Sequence, residues 1–328
     1  MPVKAFCSGI ALCMTLTSSA YAAQSAPAEQ WLQRLQSADA VQGYQGTFVY
    51  ERKGAFSTHQ IWRQVNAQGQ LLERFLQLNG PAHEVVRIDK RVTCVSPTLA
   101  GELPVVDIWP VSLVKPQDLQ QWYDVHELGE SRVAGHIARV LLFSPRDQHR
   151  YAVELHIDQA TAIPLKTLLL NDQGQLLERL EFVQFQASPS QTLTTAEHVI
   201  VTPSAECLPI TDANQLDADE VSVDWAVDWT PPGFVLLKSF YKQPSGTTSG
   251  VLSQVYSDGL ASFSVFFENI DNLDVEGGRR QLGPTAVVSR KIEQGAKTVM
   301  VTVIGEIPLG SAERIALSMQ AEQEHADD

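Results

Sequence analysis

The chain has 328 residues, 24 basic against 38 acidic side chains and a formal net charge of −14 at pH 7. A surface this acidic argues against nucleic acid as a partner and gives no unassisted attraction to an anionic membrane. The length allows two cores, and four cysteines are too few for a disulfide framework.

Residues 1–22 read as a secretory signal peptide, with Lys4 as the charged start, an apolar stretch over 5–16 and Ala20-Tyr21-Ala22 as the cleavage site. The apolar stretch is too short to span a bilayer. Leu12 before Cys13 makes a poor lipoprotein-type site, so the expected product is exported and soluble. Cleavage removes Lys4, Cys7 and Cys13, so 24 − 1 = 23 basic side chains face 38 acidic ones, a net of −15. Only Cys94 and Cys207 then remain, and an oxidising compartment would permit one bridge between them.

A first helix is expected over 27–38, with Trp31, Leu32, Leu35 and Ala38 on one stripe. Residues 44–50 (YQGTFVY) read as a strand with Tyr44, Phe48 and Tyr50 on one side. Hairpins follow at 59–78, around Asn66-Ala67-Gln68-Gly69, and at 84–94. Residues 96–115 form an irregular but apolar loop containing Leu99 and Trp109, and loops of that kind are usually packed over something. A short helix is expected from Pro116. A hairpin over 125–143 then leads into an antiparallel meander over 144–186.

The heptapeptide QGQLLER at 68–74 recurs letter for letter at 173–179, which suggests two related hairpins in one sheet. Both copies are apolar on two faces: Leu72 and Leu76 oppose Leu71 and Phe75, and Leu177 and Phe185 oppose Leu176 and Phe182. A sheet with one wet face has no use for that pattern. Helices on one face and core on the other would satisfy it, and so would a curved sheet around an apolar cavity. The residues alone do not choose.

Residues 187–222 turn polar, acidic and proline-containing, which reads as a linker, and a Cys94–Cys207 bridge would staple it to the first domain. A second domain starts near 223. It is mostly antiparallel, with a hairpin around Ser257-Asp258-Gly259 and a closing helix over 308–320. The domain reading is 1–22 signal peptide, 23–202 large domain, 203–222 linker and 223–328 small domain.

No nucleophile elbow, zinc-protease helix, phosphate loop or dinucleotide fingerprint is present. His149 and His156 fall on opposite faces, so a shared metal is not expected. Asp147 beside His149 reads as a turn that satisfies its own backbone. The expectation is no catalytic residues, no metal and no cofactor, leaving a lipid-binding module or a protein-interaction regulator. For either, Arg63, Arg74, Arg150, Lys166 and Arg179 are candidates for a head-group or partner patch, the alternative being solvated strand edges.

Several stretches resemble the RseB/MucB family: YQGTFVY at 44–50, Leu78-Asn79-Gly80-Pro81 with Glu84-Val85-Val86-Arg87, Val92-Thr93-Cys94, and residues 147–179. In the second half Pro232-Gly233-Phe234, YSDGLASFSVF at 256–266 and VTVIGEIP at 301–308 do so as well. The resemblance covers nearly the whole mature chain. It implies an α+β protein with a large curved antiparallel half-barrel, similar to the lipoprotein carriers LolA and LolB, plus a small β domain with a C-terminal helix. It further implies a periplasmic negative regulator of an envelope-stress sigma factor. Such a protein binds the membrane-anchored anti-sigma factor (RseA or MucA), shields it from the site-1 protease and is released by lipopolysaccharide or acyl chains. The residues taken by alternation to line the acyl cavity are Phe48, Leu72, Leu76, Leu177 and Phe185, with Trp109 from the apolar loop. A LolA-like lipid carrier is the alternative function, and a homo-oligomer is left open.

Overall fold

The computed structural model describes residues 25–321, apart from 42, 67, 82, 90, 99–115, 189–203, 205, 210–214, 218–224, 243–249, 271–275 and 295–296. The signal-peptide reading and the apolar loop with Trp109 fall outside the described residues.

The chain opens with α1 (Ser25–Val41), whose Ala28, Trp31, Leu32, Leu35 and Ala38 are buried as the helical spacing predicts. Five strands follow: β1 (Gly43–Arg52), β2 (Ala55–Val65), β3 (Leu71–Gln77), β4 (Glu84–Ile88) and β5 (Arg91–Val95). Lys53 and Gly54 close the first hairpin with φ of 52° and 74°, the left-handed pair that a two-residue turn needs. After α2 (Pro116–Trp122) come β6 (Tyr123–Val133), β7 (His136–Pro145), β8 (Ala152–Asp158), β9 (Pro164–Leu170) and β10 (Leu176–Ser188). A two-residue strand, β11 (Leu208–Pro209), completes an 11-stranded sheet of order β11-β5-β4-β3-β2-β1-β10-β9-β8-β7-β6. Every strand pair in it among the described residues is antiparallel, and β10 joins the two hairpin runs by lying against β1.

The β10–β6 side of this sheet is rolled. The His136 ring of β7 meets the Phe185 ring of β10 edge-on at 5.3 Å although β8 and β9 lie between them in the sheet. The two outermost strands, β11 and β6, are not paired with each other, so the sheet is curved and open. One apolar cluster gathers its inner face with α1 and Leu119 of α2.

The second sheet is built from β12 (Gln215–Asp217), β14 (Val235–Lys242), β15 (Val251–Ser257), β16 (Ser262–Asn269), β17 (Gly278–Leu282), β18 (Thr285–Gln294) and β19 (Lys297–Gly305). Its order is β12-β14-β15-β16-β19-β18-β17. The helix α3 (Leu309–Ser318) buries Ala312, Ile315 and Ala316 in this sheet's own core, beside Phe263, Val265, Val301 and Val303. A two-stranded ribbon pairs β13 (Trp225–Val227) with β20 (Met319–Ala321). The α+β expectation holds in both parts. The segment expected as a linker, 203–222, contributes one short strand to each sheet. Among the described residues no helix is long and apolar enough to cross a membrane.

Candidate functional site

The register decides which side chains share the concave face. Tyr44 pairs with Arg63, Gly46 with Ile61 and Phe48 with His59; on the next strand Ile61 pairs with Phe75 and Arg63 with Glu73. Phe75 continues to Val85 and Glu73 to Arg87. On the other side of β1, Phe48 pairs with Phe182 and Tyr50 with Leu180. Directly paired residues point to the same face, so the inner surface is Tyr44, Phe48, Ile61, Phe75, Val85, Leu180, Phe182 and Phe185, all buried. It continues through Val153, Leu155, Leu141 and Phe143. The aromatic centre is close-packed: Phe48 and Phe182 lie 5.7 Å apart and Tyr44 and Phe185 5.6 Å.

Two polar knots interrupt this apolar surface, one from each copy of the repeated heptapeptide. In the first, Arg63 Nη1 donates to Glu73 Oε1 at 3.1 Å with both side chains nearly inaccessible (4% and 6%). In the second, Arg52 Nη2 and the Tyr50 hydroxyl donate to Glu178 Oε2 at 2.6 and 2.7 Å. Burial and the Glu178 charge push the Tyr50 hydroxyl far above its ordinary pKa. The two turns share one chemistry. Asn66 Oδ1 accepts from Gln68 N and Gln70 N, and Asn171 Oδ1 accepts from Gln173 N and Gln175 N. His59, stacked on Phe48 at 5.2 Å, has its pKa lowered by burial and by His83.

Of the residues expected to line the cavity, Phe48 and Phe185 are on the inner face. Leu72 and Leu76 are on the outer one, because Arg63–Glu73 and Ile61–Phe75 take the inner positions of β3. Leu177 sits at a bulge between Leu176 and Glu178 and is half-buried. Strict alternation also failed on β10. The register shift opposite Thr47 and Phe48 leaves Val183 57% exposed and turns Phe182 and Phe185 to the same side. The basic candidates do not form one patch. Arg74 lies on the outer face with Glu84, and Lys166 and Arg179 face Glu181 and Glu51. Arg63 is inside the sheet's core and Arg150 is elsewhere again. Cys94 and Cys207 are bridged on the outer face, beside Trp62, Leu72 and Val86. Next to the bridge, Ser204 N and Oγ donate to the Glu84 carboxylate.

The arrangement that the sequence did not disclose is the joint between the two sheets. Arg150, in the bend between β7 and β8, has no accessible side-chain surface. Its Nη1 lies 3.2 Å from Asp258 Oδ2, itself fully inaccessible, and its Nη2 donates to Pro232 O at 2.5 Å. The guanidinium carbon is 5.6, 5.4 and 5.2 Å from the ring centroids of Trp122, Tyr123 and Phe234. The Tyr123 hydroxyl donates to the same Asp258 oxygen at 3.0 Å. Burial raises the Asp258 pKa, against the opposing pull of Arg150 and the N–H groups of Leu260 and Ala261. Gly233 (φ 88°) brings its backbone so close to Trp122 that a Cβ there would meet the indole at 2.3 Å. Around this centre His149 meets Ser311 Oγ at 3.0 Å, Tyr151 donates to Ile307 O at 3.3 Å and Arg52 pairs with Glu306 at 2.6 Å. In the sequence Asp258 read only as a hairpin residue and Arg150 as one of the candidates for a head-group or partner patch, so only the pairing itself could have revealed the joint.

An open curved sheet with an apolar inner face, jointed through buried polar contacts to a smaller sheet, makes a protein of two parts. Family profiles match both parts: the MucB/RseB N-terminal domain over residues 27–205 and the MucB/RseB C-terminal domain over 219–320. The chain belongs to the MucB/RseB family. It is 48% identical to the sigma factor AlgU regulatory protein MucB of Pseudomonas aeruginosa, over 92% of this chain and 93% of that protein. It is 26% identical to the sigma-E factor regulatory protein RseB of Escherichia coli K12, again over 92% and 93%. Among solved structures, MucB in complex with the periplasmic part of MucA superposes with a TM-score of 0.73 at 46% identity, covering 90% of this chain and 99% of that one.

Proposed function

We propose that this chain is a periplasmic negative regulator of an envelope-stress sigma factor. It binds the periplasmic region of a membrane-anchored anti-sigma factor of the MucA/RseA kind and keeps the site-1 protease from it. Lipopolysaccharide or a related acyl ligand releases the complex. The observation that carries this is the 48% identity to a sigma factor regulatory protein through both domains, together with the likeness to a MucB chain solved with MucA.

For the acyl half of the reading the candidate surface is the apolar inner face of the large sheet. That face is packed against itself and α1, so an acyl chain must displace part of that packing. An open roll can admit a chain that a closed barrel excludes, and each CH₂ moved from water into such a surface gains about 0.8 kcal/mol. The net charge of −14 gives a head group no general attraction, so the tails supply the affinity. The test is calorimetry of the mature chain with the periplasmic segment of the anti-sigma factor, with and without lipopolysaccharide, alongside cleavage of that segment by the site-1 protease. Binding that slows cleavage and weakens with lipopolysaccharide is expected. Absence of binding to the anti-sigma segment, with lipid transfer intact, would move the reading to a LolA-like carrier.

A further inference from the structure

Hairpin tips normally lie in solvent. The tip between β15 and β16 does not: residues 257–261 are all buried. They are held by Asp258 Oδ1, which accepts from Leu260 N at 2.9 Å and Ala261 N at 2.7 Å, and by Ser257 Oγ, which accepts from Gly259 N and donates to Ala261 O. This rigid tip from the small sheet presents Leu260 to the other sheet. Leu260 is 8% exposed and belongs to the apolar cluster of the large sheet, with Tyr123, Phe143 and Val153, and not to that of its own sheet. Tyr123 stands between the two. Its ring meets Phe143 edge-on at 6.3 Å within the large core, and its hydroxyl donates to Asp258.

We propose that the 257–261 tip is a plug seated in one end of the large sheet's apolar interior. An acyl chain entering that interior competes with it for the same surface, so the small domain senses the ligand through its own hairpin. The proposal rests on the acyl-binding reading above and gives it a route. Leu260 and an acyl methylene would both be seated in the same apolar cluster. Because Leu260 and Asp258 are two residues apart in one tight turn, withdrawing Leu260 also takes Asp258 from Arg150 and Tyr123. The rest of the joint is then left without its centre. Linkage makes the effect reciprocal: whatever seats the plug more firmly weakens acyl binding by the same factor that acyl binding weakens the joint.

The test uses the mature chain, a dansyl-labelled undecanoic acid as probe, and spin labels at Q173C and E268C, both exposed positions, one on each part. Two variants loosen the plug. L260A removes its apolar contact. D258N keeps a carbonyl oxygen for the neighbouring N–H donors but removes the charge that faces Arg150. Both are expected to bind the probe about three- to tenfold more tightly than the parent, and to show a broadened label-to-label distance without probe. The parent should broaden only on saturation. Should L260A fail to fold, D258N carries the comparison alone. Equal probe affinity in all chains with an unchanged distance would overturn the plug while leaving acyl binding standing. No probe binding by any chain would overturn the acyl reading and the plug with it.

Discussion

Replacing Arg150 with Met isolates the centre of the joint. Methionine keeps much of the aliphatic volume between Trp122, Tyr123 and Phe234 but leaves Asp258, a fully inaccessible carboxylate, without its cation. Removing one partner of a buried ion pair costs about 3–5 kcal/mol. Asp258 keeps three donors, Tyr123, Leu260 and Ala261, so the lower end, about 3 kcal/mol, is expected here. Adding D258N should recover part of it, leaving the double variant about 1–2 kcal/mol below the parent, because no buried charge then remains unpaired. The pH dependence has a definite sign. Burial raises the Asp258 pKa in the folded chain, and losing the Arg150 cation raises it further. Folded R150M therefore binds more protons than its unfolded form between the ordinary carboxylate pKa of about 3.9 and the raised value, and its stability falls as pH rises through that window. Urea unfolding followed by tryptophan fluorescence at about pH 7.5 and about pH 5 measures both effects, since the Trp122 ring faces the substituted side chain. A cost under about 1 kcal/mol at neutral pH, or one that neither acid nor D258N reduces, would refute the assignment of Arg150 as the paired centre.

Reduction of the Cys94–Cys207 bridge, which spans 113 residues, should cost about 2–5 kcal/mol and appear as a lowered Tm in dithiothreitol that C94A/C207A reproduces. Gly46→Ala should destabilise by about 1–3 kcal/mol in thermal unfolding, because a Cβ there would lie 2.5 Å from both Gln184 O and a Phe182 ring carbon. His59 has its folded pKa lowered by burial. The unfolded chain thus takes up a proton first as pH falls below about 6.5, and stability drops with acidification through that range. His59→Gln should flatten this part of a stability-against-pH curve, and an unchanged slope would count against a buried neutral imidazole.

Strand existence was legible because the turn chemistry is local. The two QGQLLER hairpins form with matching Asn66 and Asn171 turns, each with its Gly N–H donated back to the Asn carbonyl at 3.0 Å. Placing both in one antiparallel sheet was also within reach. Which leucines face inward was not. Leu72 and Leu76 were as apolar as Leu71 and Phe75, and it is the pairing of Arg63 with Glu73 and of Ile61 with Phe75 that fixes β3's inner face. A charged pair on a core face contradicts the pattern that alternation assumes, so alternation put Leu72 and Leu76 on the wrong side. On β10 the bulge at Val183 broke the period itself. The joint was invisible for a different reason. Arg150 and Asp258 are 108 positions apart, and each has an ordinary local explanation on its own.

A buried arginine is a costly way to hold two domains together, since apolar residues of the same volume often hold as well or better. What it adds is geometric exclusiveness. Arg150 must meet Asp258, Pro232 O and three rings at once, and any slide of one sheet over the other leaves a buried charge unmatched. Intermediate positions of the joint are therefore penalised, which is what the coupling proposed above requires of it. The surrounding pairs differ in kind: Arg52 and Glu306 retain 32% and 43% of their side-chain exposure, so salt screens them. Raising sodium chloride from about 0.05 to 0.5 M should weaken that rim while leaving the label-to-label distance of the parent chain narrow, because ions reach the rim and not Arg150. In R150M the same salt step should broaden the distance, because the Arg52–Glu306 pair then carries a larger share of the hold beside the Leu260 seat and the Tyr123–Asp258 bond. Broadening of the parent by salt alone would place the holding force at the rim and remove the buried pair from the account.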